Sequence, residues 1–131
     1  MQSFKTFINE DAQCALITKS DIRELEKFAD DLLAKFDIDI EFTKHFGDRM
    51  SDDRNMPCIQ VKELKDFFRK IYANQGNKIK GNRGIEAVLK DMQKNLNMPV
   101  VIDYRNGEVE VRFKTIMRKK NFTTPSKVIS Y

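Results

Sequence analysis

The chain has 131 residues, a formal net charge of +4, ten phenylalanines, two cysteines and a single histidine. Its length fits one domain with a real core, no apolar run approaches the roughly 18 to 20 residues of a membrane span, and Cys14 and Cys58 beside one histidine lack the spacing of a zinc site, so neither a metal nor another cofactor is expected. The N-terminus has no secretory apolar stretch, which predicts free thiols in a reducing compartment, and the charge is uneven, net −4 over residues 1–40 and net +8 over the rest, which directs an anionic partner to the later part.

Residues 1–12 read as an amphipathic peptide, with Phe4, Phe7 and Ile8 at helical spacing, and residues 13–131 as a single domain. Taken by itself, the peptide is a frayed helix that packs weakly. Ser20 is expected to cap a helix that runs to Phe36, with Ile22, Leu25, Phe28, Ala29, Leu32 and Leu33 on its apolar stripe. Glu26, Asp30 and Asp31 then form a solvated acidic face. Asp37 to Phe42 alternates as a short strand able to pair with a later hairpin.

Thr43 to Met50 reads as a short helix, which places His45 and Arg49, four residues apart, on one face. His45 is the one side chain whose ordinary titration falls near neutrality, so it is either the proton-transfer group or a surface histidine beside Asp48 and Arg49. Residues 51–57 form a polar loop. Gln60 to Tyr72 is a second helix, with Val61, Leu64, Phe67, Phe68 and Ile71 inward. Asn74 to Gly84 carries three glycines with Lys78, Lys80 and Arg83 but not the spacing of a nucleotide cradle; it is a connector or a mobile basic loop. Ile85 to Leu96 is expected as a third helix, carried by Ile85, Val88, Leu89 and Met92 and stopped at Asn97-Met98-Pro99.

Val100 to Lys120 holds the clearest pattern. Val100-Val101-Ile102, an Asn106-Gly107 turn and alternating Val109, Val111 and Phe113 predict a hairpin. Thr115 is expected on the core face, and Glu108, Glu110, Arg112, Lys114 and Ile116 on the other. From Arg112 to Lys127 there are six cations (Arg112, Lys114, Arg118, Lys119, Lys120 and Lys127) and no acid, which suits a polyanion. Lys127 to Tyr131 can add an edge strand.

These elements predict an α+β fold, N-terminal helices packed on an antiparallel sheet of about three to four strands, with the second sheet face concave and basic. If His45 and Arg49 meet the end of the hairpin, the site holds His45, Arg49, Lys114, Thr115 and Arg118. Such a set suits phosphodiester cleavage without a metal: RNA brings its own nucleophile, the 2′-OH, and needs proton transfer plus cations for the charge that builds on phosphorus. Asp48 is the nearest candidate by sequence for a carboxylate base, or else orients the ring. Arg112, Lys119, Lys120, Lys78, Lys80 and Arg83 are the remaining nucleic-acid-binding candidates, Lys119 and Lys120 alternatively being a solvated tail.

HFGDR in a short helix, then a helix and a hairpin ending KTIMRKKNFTTP, resembles the phage-encoded barnase/EndoU/RelE-like nuclease domains over about residues 36–131. The resemblance implies an RNase/RelE-like fold in which His45, Arg49, Lys114, Thr115 and Arg118 correspond to the His-x-x-x-Arg element and the late-strand residues. MQSFKTFINE resembles the capsid-targeting peptides of internal head proteins of tailed phages, which implies cleavage after Glu10 by a prohead protease, with Asp11 where a small residue is usual. Together they imply a ribonuclease-like effector of the host cytoplasm, or one carried in the capsid interior. Two other readings stand beside it: a non-catalytic nucleic-acid-binding protein, and an interaction protein that binds and inhibits a host or defence factor.

Overall fold

A computed structural model describes residues 16–131; the predicted N-terminal peptide, including Glu10, lies outside the described residues. Helix α1 (Lys19–Leu33) is capped by Thr18, two residues before the expected cap. Thr18 Oγ1 accepts the Asp21 N–H at 3.0 Å while Asp21 Oδ2 accepts the Thr18 N–H at 2.9 Å, a reciprocal box that Ser20 cannot make. Those bonds hold the exposed Asp21 carboxyl below its ordinary value. Leu25, Ala29 and Leu33 face inward, and a 3-10 turn over Ala34–Phe36 ends in left-handed Asp37 before β1 (Ile38–Phe42). Helices α2 (Lys44–Met50), α3 (Val61–Ala73) and the single turn α4 (Asn77–Lys80) follow, then β2 (Ile85–Asp91), β3 (Leu96–Arg105), β4 (Glu108–Phe113), β5 (Met117–Arg118) and β6 (Lys127–Ser130).

The segment expected as a third helix is therefore β2 and the turn into β3. Its apolar residues satisfy both periods, but Ala87, Leu89 and Asp91 point inward, whereas Ile85 and Met92, which a helix would have buried, are 37% and 56% exposed. Pro99 lies within β3 rather than ahead of it. Asp91, 1% exposed, holds the change of direction: its Oδ1 accepts the Gln93 and Lys94 N–H groups and takes the Lys70 ammonium at 2.9 Å from α3.

With β2 and β5 added, the sheet has six strands, not three to four, and it is mixed. The order is β1-β4-β3-β2-β6, with β5 beside the start of β3; β1 pairs parallel with β4 and β6 parallel with β2, while β2, β3 and β4 form an antiparallel meander. Asn106 and Gly107, both at positive φ, make the expected two-residue turn from Arg105 to Glu108. Helices α1 and α3 cover one face, where Phe42, Phe46, Phe68 and Phe113 pack with ring centres 4.6 to 6.0 Å apart. The open face is not the expected basic surface. Asp39, Glu41, Asp103, Glu110 and Glu86 surround Arg112 and Lys114, because the alternation that buries Val109 and Val111 also turns their acidic neighbours outward. Cys58, expected as a free thiol, is disulfide-bonded; Cys14 lies outside the described residues.

Two of the three acids expected to be solvated on α1 have a structural task. β1 is an edge strand, and its outward amides at Ile40 and Phe42 donate to Asp30 Oδ1 at 2.7 Å and Glu26 Oε2 at 3.0 Å, which closes the edge. Asp31 pairs at the surface with Lys27. Burial raises the Asp30 carboxyl from its ordinary 3.8 to about 6, with the Ile40 amide working against that shift and Asp39 and Glu26 adding to it. A proton is thus bound more tightly at Asp30 in the folded chain than in the unfolded one, so the contribution of Asp30 to stability falls as pH rises from about 4 to about 6. Asp30→Asn keeps an acceptor for Ile40 and removes the charge. Thermal unfolding should show the variant more stable than the parent at pH 7 and level with it near pH 4; a parent curve flat across that window would remove Asp30 as the cause.

Candidate functional site

The site begins where β1 runs into α2. Thr43 ends the strand and caps the helix: its hydroxyl accepts the Phe46 N–H at 3.1 Å and donates to the Lys114 carbonyl at 2.9 Å, and its own N–H donates to Phe113 O. The first turn of α2 is thereby fixed to the end of β4. Phe46 and Met50 are buried on one side of the helix, leaving His45 and Arg49 on the other. The alternation of β4 breaks after Phe113, so that Ile116 enters the core rather than the open face and Thr115 leaves it. Met117 and Arg118 then re-pair with Asn97 and Leu96 of β3.

Between α2 and β5 lies a cleft of about 650 Å³. His45 and Arg49 form one wall, Thr115, Arg118 and Lys119 the other, and Asp52, Arg54 and Asn55 from the loop after α2 close the end. Arg49 Nε donates to His45 Nε2 at 3.1 Å, and Arg49 Nη1 reaches Asp52 Oδ2 at 3.0 Å. Arg54 bonds the same carboxylate through Nε and Nη2. One carboxylate thus serves two guanidinium groups, and the lining keeps a cationic excess. In this arrangement the Nε2 lone pair of His45 is engaged, which puts the ring proton on Nδ1.

Arg118 has a different task from the one expected. Its Nε donates to Pro57 O, Nη1 to Lys94 O, and Nη2 to both Cys58 O and Glu63 Oε1, at 2.7 to 3.1 Å. Its side chain is 10% exposed and that of Glu63 14%. Most of the guanidinium is spent inside the protein, clamping the loop after α2 and the start of α3 onto β5. Buried Asn55 completes the clamp, donating to Arg49 O at 2.9 Å and accepting the Arg118 N–H at 2.9 Å.

The other expected cations disperse. Lys114 lies outside the lining, 3.6 Å from Glu86, and Arg112 is bonded to Glu41 at 2.8 Å. Lys120 is exposed beyond Lys119. Lys78 bonds Ser130 O and covers the Tyr131 ring, while Lys80 and Arg83 lie against Phe36 and Tyr104 at the opposite end of β1 and β4. Asp48 faces a neighbouring groove with Ile22 and Lys44 rather than His45. Asp52, Arg54 and Asn55 were read only as a polar loop; the one hint was the Asp-x-Arg spacing that lets Asp52 Oδ1 accept the Arg54 N–H at 2.9 Å. Among the described residues no group of three or more His, Cys, Asp or Glu side chains is arranged to hold a metal ion, and no helix is long and apolar enough to cross a membrane. Compared with known families, curated proteins and solved structures, the chain matches none.

Proposed function

We propose that the cleft between α2 and β5 takes a phosphodiester of RNA and cleaves it without a metal, on a fold of the barnase/EndoU/RelE-like kind. What carries this reading is the meeting of the only histidine with Arg49, Arg54 and Lys119 around a space whose one lining carboxylate among the described residues, Asp52, is already shared by two arginines. An entering phosphate competes with His45 and Asp52 for Arg49. When Arg49 turns to the phosphate, His45 Nε2 is released and can take the proton of the 2′-OH as that oxygen attacks phosphorus. The same proton then passes to the departing 5′-oxygen, so the cut leaves a 2′,3′-cyclic phosphate and a 5′-hydroxyl. Arg49, Arg54 and Lys119 offset the charge on the phosphorane, Thr115 can donate to a non-bridging oxygen, and Arg118 positions the loop that carries Arg54.

Incubating the purified chain with total RNA in EDTA tests this. Cut ends bearing cyclic phosphate are expected, and an RNA carrying a single 2′-deoxy residue at the cut position should resist there. Cleavage of that deoxy substrate would rule out attack by the 2′-OH.

The existing bond from Arg49 to His45 Nε2 favours a second reading, in which the ring is a structural acceptor and the cleft binds nucleic acid without cutting it. Affinity that falls steeply with salt, with no cut ends, would establish that reading. Binding insensitive to salt would favour docking to a host or defence protein instead. The phage setting belongs to the same proposal: a virion protein released from residues 1–10 would begin at Asp11, which mass spectrometry of purified particles reads directly.

A further inference from the structure

The geometry points to a second ligand site, for the base and phosphate of a nucleotide, at the end of the sheet opposite the cleft. There a cavity of about 200 Å³ is lined by Phe36, Asp37, Lys80, Arg83, Tyr104 and Gly107, among others. The Arg83 guanidinium lies 4.4 Å from the centre of the Tyr104 ring, and Lys80 Nζ lies 5.8 Å from that of Phe36. Tyr104 is 52% exposed although it sits on a strand of the central meander. Neither Lys80 nor Arg83 forms an ion pair among the described residues, whereas Arg112, Arg105 and Lys114 on the nearby sheet all lie beside carboxylates.

The volume is below the roughly 300 to 1,000 Å³ of pockets that enclose a whole small molecule. Such a cavity takes one end of a ligand and leaves the remainder on the surface. Two cations suit a phosphate in the cavity, and the open Tyr104 ring with its stacked guanidinium suits a planar base outside it. Asp37, the lining carboxylate, suits a ribose hydroxyl or an exocyclic amine. A simple anion would use the cations but not the ring. Five residues of β1 separate Asp37 at this cavity from Thr43, about 20 Å at the usual rise, and Asp39, Glu41 and Glu110 occupy the open face between them. Among the described residues no continuous track of cations joins the two ends across that face, so the second site is independent of any chemistry in the cleft.

The test is calorimetric titration of the full chain with AMP, inorganic phosphate and an eight-residue single-stranded oligodeoxyadenylate. Tyr104→Ala should weaken AMP binding by about 5- to 150-fold, the loss expected for one stacked base. Arg83→Gln should weaken it in the same direction, and Lys27→Gln, at the exposed surface of α1 away from both cavities, should leave it unchanged. An equal loss for AMP and the oligonucleotide makes the ligand any nucleotide; a larger loss for the oligonucleotide makes it one nucleotide of a strand, and both support the site. Unchanged AMP affinity in Tyr104→Ala, or inorganic phosphate binding as tightly as AMP, would overturn it.

Discussion

His45→Ala is expected to lower RNA cleavage by roughly 10² to 10⁴, the range of a single positioned proton-transfer group, and to leave the thermal unfolding midpoint within a few degrees of the parent. Both halves follow from its place on α2. The ring lies on the exposed side of the helix, and Phe46 and Met50 on the buried side carry the packing. Removing the ring also frees Arg49 Nε, so RNA affinity should hold or rise slightly while the chemical step fails. Single-turnover rates at saturating RNA separate the two effects. A variant that cuts at the parental rate would take His45 out of the mechanism and leave the cleft as a binding surface.

Arg118→Ala is expected to have the largest effect on stability, a loss of about 3 to 5 kcal/mol, as when one partner of a buried ion pair is removed. The variant leaves the Glu63 carboxylate without its guanidinium and the carbonyls of Pro57, Cys58 and Lys94 without this donor. For a chain of this size that is a fall of about 10 °C or more in unfolding temperature. Arg118→Met with Glu63→Gln should recover part of the loss, because the orphaned charge is gone, and the shortfall from additivity measures the pair. Parental stability in Arg118→Ala would show the guanidinium to be a free surface cation.

Which features could be read from the chain depends on the range of the interactions that create them. The hairpin from Val100 to Phe113 announces itself through Asn106-Gly107 and three alternating apolar residues, all local, and the stripes of α1 and α3 do the same at helical period. Ile85 to Leu96 does not, because Val88 and Leu89 fit either period and the residue that decides, Asp91, finds its partner Lys70 on another element. The same limit applies at the cleft. The spacing of His45 and Arg49 is local, and α2 does put both on one side. The burial of Asn55 and the clamp around Arg118 bring together residues some 60 positions apart, and nothing in a polar loop marks one of its amides as internal. Arg118 looked like one more cation in a basic run because its four acceptors lie in three other segments.

The parallel pairing of β1 with β4 also sets an order of events in time. The meander β2-β3-β4 joins neighbours through short turns, whereas Thr43 and Lys114, which fasten α2 to it, are 71 residues apart. Closing so large a loop is slow compared with forming a hairpin. During synthesis α1, β1 and α2 emerge long before β4 and β5 exist. Until residues 115–119 are out and folded back onto α2, a growing chain has only one wall of the cleft, and whatever the cleft does waits for the other.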